Sequence, residues 1–321
     1  MKMLIKKILP LLLFTIANFN VNAQTNGRDF TAVDAYVKGL GPLNGMSMGT
    51  INNVVSNKFT DKIDKARAIY YWIAHNITYD VKAARNNSMM KNTPTEVLLS
   101  RKAVGIGFAS LFQDMCSSAD IRCLTVDGFV KNNTSQIGEK ETEINHSWAV
   151  VQLGESPETW FYADPAWGSG YGDAEMKVFT PYYTDAYFFT EKETFNLQHF
   201  PDNEAWKLGP APKNKKDFFE MPLVKVAAVE FGIKKLSPNE GNIKTKANKA
   251  VKFSFTLKST EDIVKVELGI GEKKKYKVEE IQYSNSASVL SFTYKFEDEN
   301  TYPVTVFVNG KEFVTYNVEV E

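Results

Sequence analysis

The stretch Arg101-Lys102-Ala103-Val104-Gly105-Ile106-Gly107-Phe108-Ala109-Ser110-Leu111-Phe112 decides how the rest of this chain is read. It is a turn entering an apolar helix. Upstream, within 61–74, Ile63, Ala66, Ile69 or Tyr70, and Ile73 recur at helical spacing, with Thr60 or Asp61 able to cap the start. That helix runs into Asn76-Ile77-Thr78-Tyr79-Asp80, and a polar segment, 85–92, separates it from Thr95-Glu96-Val97-Leu98-Leu99. Downstream, residues 121–130, 145–153 and 159–164 read as three strands. A helix followed by antiparallel strands is an α+β arrangement.

From about Val224 the texture changes to short alternating runs, such as Val251-Lys252-Phe253-Ser254-Phe255 and Val304-Thr305-Val306-Phe307-Val308. The latter meets Asn309-Gly310 and then Phe313-Val314-Thr315-Tyr316, the pattern of a hairpin closed by a type I′ turn. Repeated short strands at this spacing predict an Ig-like β-sandwich over 224–321. Residues 209–223, beginning Gly209-Pro210-Ala211-Pro212, read as a linker. Lys273-Lys274-Lys275 reads as a solvated hairpin edge.

The composition excludes several classes. With 38 Lys+Arg against 38 Asp+Glu and no basic block, the chain lacks the charge of a nucleic-acid binder. Two cysteines in 321 residues make neither a disulfide framework nor a four-thiolate zinc site. At the N-terminus, Lys2, Lys6 and Lys7, an apolar run from Ile8 to Ala17 and Val21-Asn22-Ala23 form a secretory signal with cleavage after residue 23. The expected product is secreted or periplasmic, with no membrane span once the signal is removed, and its first domain covers 24–208 with a core at about 60–208.

Five motifs in order carry a resemblance: Trp72-Ile73-Ala74-His75-Asn76-Ile77-Thr78-Tyr79-Asp80, the 101–109 stretch, Val126-Asp127-Gly128-Phe129, Asn145-His146-Ser147-Trp148-Ala149 and Asp164-Pro165-Ala166-Trp167-Gly168. Together they resemble a transglutaminase-like domain. Tyr187-Phe188-Phe189 and His199-Phe200-Pro201-Asp202 make the chain most similar to the bacterial branch related to kyphoscoliosis peptidase. The resemblance implies a papain-like fold: a Cys at the start of a helix, with His and Asp on neighbouring strands. His146 and Asp164 occupy the second and third positions of that triad, and Gly105 occupies the first.

In such a triad the helix dipole and an adjacent imidazole stabilise the thiolate, and the carboxylate orients the ring. Glycine supplies no attacking atom. Cys116 returns to nearly the same helix face but lies roughly 16 Å down the axis at about 1.5 Å per residue. Cys123 opens the following strand; the two cysteines are either buried thiols or a disulfide joining helix to strand. If the nucleophile position is simply vacant, about 5 to 7 Å should separate the Gly105 Cα from the His146 ring, the span of a cysteine side chain plus a hydrogen bond.

Trp148 and Trp167 are candidates to line the cleft, whereas Trp160 and Tyr162 read as core. His75 reads as a capping or surface residue and His199 as structural. Three histidines scattered at 75, 146 and 199 do not make a metal site by spacing, and no cofactor is implied.

The leading expectation is a secreted, inactive transglutaminase-like pseudoenzyme binding a peptide, a protein or a cell-envelope component. The alternatives are an active cysteine-protease or transglutaminase-type enzyme with a displaced nucleophile, and an adhesion protein working through the sandwich.

Overall fold

The computed structural model describes residues 27–86, 89–140, 143–173, 175–271 and 277–321. The segment 1–23 that reads as a signal and Lys273-Lys274-Lys275 lie outside them. Helices α1 (Thr31–Leu40) and α2 (Met48–Ser56) pack on α3 (Lys62–Asn76). Asp61 is the cap of α3, its carboxylate accepting from the Ile63 and Asp64 amides, which are left without intrahelical partners at a helix start. The apolar positions of α3 face α4 (Gly105–Ser118), and Trp72, Ile69, Phe108 and Phe112 are fully buried in the shared core.

Behind α4 lies an antiparallel sheet of β1 (Arg122–Val130), β2 (His146–Gln152), β3 (Trp160–Ala163) and β4 (His199–Pro201), in the order β3-β2-β1-β4. The first three are the strands the sequence predicts, within a residue or two at each end. The fourth comes from the HFP motif, 69 residues beyond the end of β1 in sequence. Gly128 lets it in: it is in register with His146 on one side and Pro201 on the other, and a Cβ there would press on the Phe200 carbonyl and lie 2.6 Å from the Trp148 ring.

The C-terminal part is two facing sheets. One has the order Lys235–Ser237, Ala250–Thr256, Val289–Lys295, Ser284–Ser286. The other has the order Asn242–Thr245, Lys311–Val320, Asn300–Val308, Val266–Ile270, Lys277–Glu280, with the first pair parallel. This is the strand order of an immunoglobulin sandwich, A-B-E-D against A′-G-F-C-C′. Its core is apolar, with Phe253 against Tyr316 and Phe255 against Phe313, each pair with ring centroids 5.4 Å apart. Asn309 and Gly310 both have positive φ, 52° and 77°, as a type I′ hairpin turn requires.

Residues 209–223 are not the loose linker that their Pro, Gly and Lys content predicts. A short helix, α5 (Lys215–Glu220), buries Phe218 and Phe219 against Phe129 and Phe200, and Leu223–Val224 pairs with Lys311–Val320. Burying each ring is worth a few kcal/mol, and together with the strand pairing of Leu223–Val224 this holds the segment in place despite its polar flanks. The Lys131 ammonium is buried at this seam, donating to the Phe218 carbonyl and lying 4.0 Å from its ring centroid. Among the described residues no helix is long and apolar enough to cross a membrane.

Candidate functional site

The N-terminus of α4 has no side-chain cap; Val104, in extended conformation, precedes it. Gly105, its first residue, faces the first residue of β2. A Cβ built on Gly105 would stand 2.7 Å from His146 Nδ1 and 2.9 Å from Cε1. The imidazole therefore lies closer to the helix than the expected 5 to 7 Å, because a Cβ is only about 1.5 Å from its Cα. The position is not left as a gap: with no side chain to hold it off, the ring packs into the space a thiol would need.

On its other edge His146 Nε2 meets Asp164 Oδ2 at 2.6 Å. An ionised carboxylate only accepts, so Nε2 carries the proton and Nδ1, facing Gly105, is the acceptor. That is the orientation in which a histidine would take a proton from a group at position 105. The Ser147 hydroxyl points the other way along the strand and donates to Asp127 Oδ1 at 2.6 Å.

Asp164 has two roles in the structure. Oδ1 caps the short helix Pro165–Ser169, accepting from the Ala166 and Trp167 amides at 3.0 Å each, while Oδ2 receives the histidine. Burial opposes its ionisation, but the charge and hydrogen bond of His146, reinforced by His199, outweigh burial and hold the carboxyl well below the usual carboxylate range.

His199 is the residue sequence reading misplaced. It is fully buried on β4, its Nε2 lies 3.1 Å from the same Asp164 Oδ2, and its ring stacks on Phe195 at 3.9 Å between centroids. Burial pushes its pKa down to about 4, against the opposing pull of Asp164. The available signal was its HFP context; the contact itself spans 35 residues.

Trp148 does not line an open cleft: it is 1% exposed and packs behind the histidines against Phe195 and His199. It follows His146 by two residues on a strand whose two faces are both covered, so it shares the buried side of the sheet. Trp167 is partly buried and borders the site, 5.5 Å from His146 and 4.5 Å from His199 between ring centroids. His75 stacks on Tyr71, near the far end of α3. Cys116 and Cys123 are free, buried thiols rather than a disulfide, and burial pushes the Cys116 thiol well up.

Residues 50–165 match the family model described as the transglutaminase-like superfamily. The chain carries a transglutaminase-like domain. It is similar to the kyphoscoliosis peptidase of Mus musculus, 33% identical over 204 residues that cover 62% of this chain and 30% of that protein. To the kyphoscoliosis peptidase of Homo sapiens it is 31% identical over 224 residues, 70% of this chain and 33% of that protein. The chain thus spans about a third of the length of these relatives. A crystal structure of a TGase aligns with 47% of this chain and 35% of its own at a TM-score of 0.27 and 18% identity. In this transglutaminase-like domain the His and Asp of the resemblance are in contact, and glycine stands at the helix start they face.

Proposed function

We propose that this chain is a secreted transglutaminase-like protein without catalytic turnover, which binds a peptide, a protein or a cell-envelope component. The observation that carries the reading is Gly105 at the start of α4, with His146 Nδ1 turned toward it and Asp164 behind. A nucleophile must come within about 3 Å of its base. The two thiols that could replace the missing one are buried, one on α4 and one on β1, and burial makes the Cys116 thiol harder to ionise. A binding role is supported by the aromatic border of the retained pair, where the partly buried Trp167 lies 5.5 Å from His146 and 4.5 Å from His199 between ring centroids. Loss of a triad nucleophile costs several orders of magnitude in rate, so the expected result with casein, and in an amine-incorporation assay with a glutamine donor, is no turnover. Turnover that disappears in His146→Ala, or is blocked by a thiol-directed inhibitor, would overturn the reading.

A further inference from the structure

We propose that His146, Asp164 and His199 form a site for one divalent transition-metal ion of the zinc class, built from the two strands and the short helix that meet behind Gly105. The proposal uses the missing side chain at 105 but not the absence of catalysis. One ligand atom from each of the three residues lies within 4.8 Å of the others, and the side chains are 4%, 0% and 0% exposed. Two imidazoles and a carboxylate are a donor set that zinc and its neighbours accept.

Proton counting points the same way. A neutral imidazole has one ring proton. Placed on His199 Nε2, it serves Asp164 Oδ2 at 3.1 Å and leaves Nδ1 lone pair to lone pair with the Phe195 carbonyl at 3.4 Å. Placed on Nδ1, it serves Phe195 and sets the Nε2 lone pair against an ionised carboxylate oxygen. A cation between Nε2 and Oδ2 removes the conflict, with Nδ1–H directed to a backbone carbonyl as metal-bearing histidines commonly have it. The Asp164 side is equally prepared: Oδ1 is held by two amides, so Oδ2 alone faces both rings.

Metal–nitrogen and metal–oxygen distances near 2.0–2.1 Å place tetrahedral N and O ligands about 3.3 Å apart. His199 is almost there at 3.1 Å, whereas His146, at 2.6 Å, must draw back by more than half an ångström and, with the ion bound, carry its proton on Nδ1 instead of Nε2. The movement is toward Gly105, where a Cβ would stand 2.7 Å from Nδ1 and block it.

The test is zinc titration of the chelator-treated protein by calorimetry, with cobalt absorption as a geometric readout. One ion per chain, at a sub-micromolar dissociation constant, is expected. Binding should weaken by roughly 100-fold or more in His199→Gln, weaken by roughly tenfold in Gly105→Ala and be unchanged in His75→Gln. No uptake at 100 µM zinc, or uptake equal in wild type and His199→Gln, would overturn the site. Should His199→Gln fail to fold, the ring-nitrogen NMR shifts of the wild type decide: the Nε2 signals of His146 and His199 must move together on zinc addition, and stationary signals overturn the proposal. No turnover is read in this experiment, so its failure leaves the pseudoenzyme reading in place.

Discussion

The two halves of this molecule bury different things. In the sandwich the buried polar residues among those described are threonines, Thr245, Thr260, Thr305 and Thr315, set in a core of Val, Leu, Phe and Tyr. In the transglutaminase-like half the buried set includes Arg67, Lys131, His146, Asp164 and His199. Arg67 is answered by Asp34 through two bonds of 2.8 and 2.7 Å, and Asp164 is surrounded by two amides and two imidazoles. An interior charge is costly unless paired, so its retention marks a place where specific geometry outweighs simple packing. The apolar sandwich could exchange one aliphatic residue for another and keep its shape. The cluster around Asp164 has no such freedom, since each member's position is fixed by a contact to the same carboxylate.

The sharpest way to break that contrast is to remove the hub. Asp164→Ala strands two buried imidazoles and two helix-start amides, and should cost about 3–5 kcal/mol in urea unfolding. Phe253→Leu, at a fully buried sandwich position, should cost about 1–2 kcal/mol. Equal losses would mean that the polar cluster is not held more tightly than ordinary core.

Next in size is Lys131, whose buried ammonium has burial as its cause of a pKa lowered to about 7 from 10.5. The unfolded chain keeps this proton up to about pH 10.5 while the folded chain releases it near 7, so unfolding takes up a proton between those values and stability rises with pH. Between pH 7 and 10, wild type should gain on Lys131→Met by an amount on the order of a few kcal/mol. Parallel pH profiles would show the amine to be solvated rather than sealed at the seam.

The smallest stability effect belongs to Gly105→Cys, about 1 kcal/mol for making the His146 ring shift. Its informative readout is chemical. A thiol at a helix N-terminus beside His146 Nδ1 should be alkylated at pH 6 at least roughly tenfold faster than either buried wild-type cysteine. Equal rates would show that the imidazole cannot assist at this position.

Much of this was legible before any coordinates. The capped helix at 62, the turn into the helix at 105, three of the four sheet strands and the Asn309-Gly310 hairpin all follow from signals spanning about fifteen residues or fewer. Asp164 was legible as a triad member through the Asp164-Pro165-Ala166-Trp167-Gly168 motif of the resemblance. What escaped were contacts whose partners are far apart in sequence. His199 joins Asp164 only because β4 pairs with β1 across Gly128, Trp148 is sealed because Phe195 closes over it, and 209–223 is packed because Phe129 and Phe200 await its two phenylalanines.

By itself, then, the sequence determined that position 105 carries no nucleophile, since a missing atom needs no neighbours to be missing. It also determined the period of each segment and hence the α+β order followed by strands, because periodicity is local. Only the tertiary structure decided that His146 settles into the space a thiol would need and that a second histidine shares its carboxylate. Both are consequences of close packing, in which a side chain's position depends on what every surrounding element leaves open.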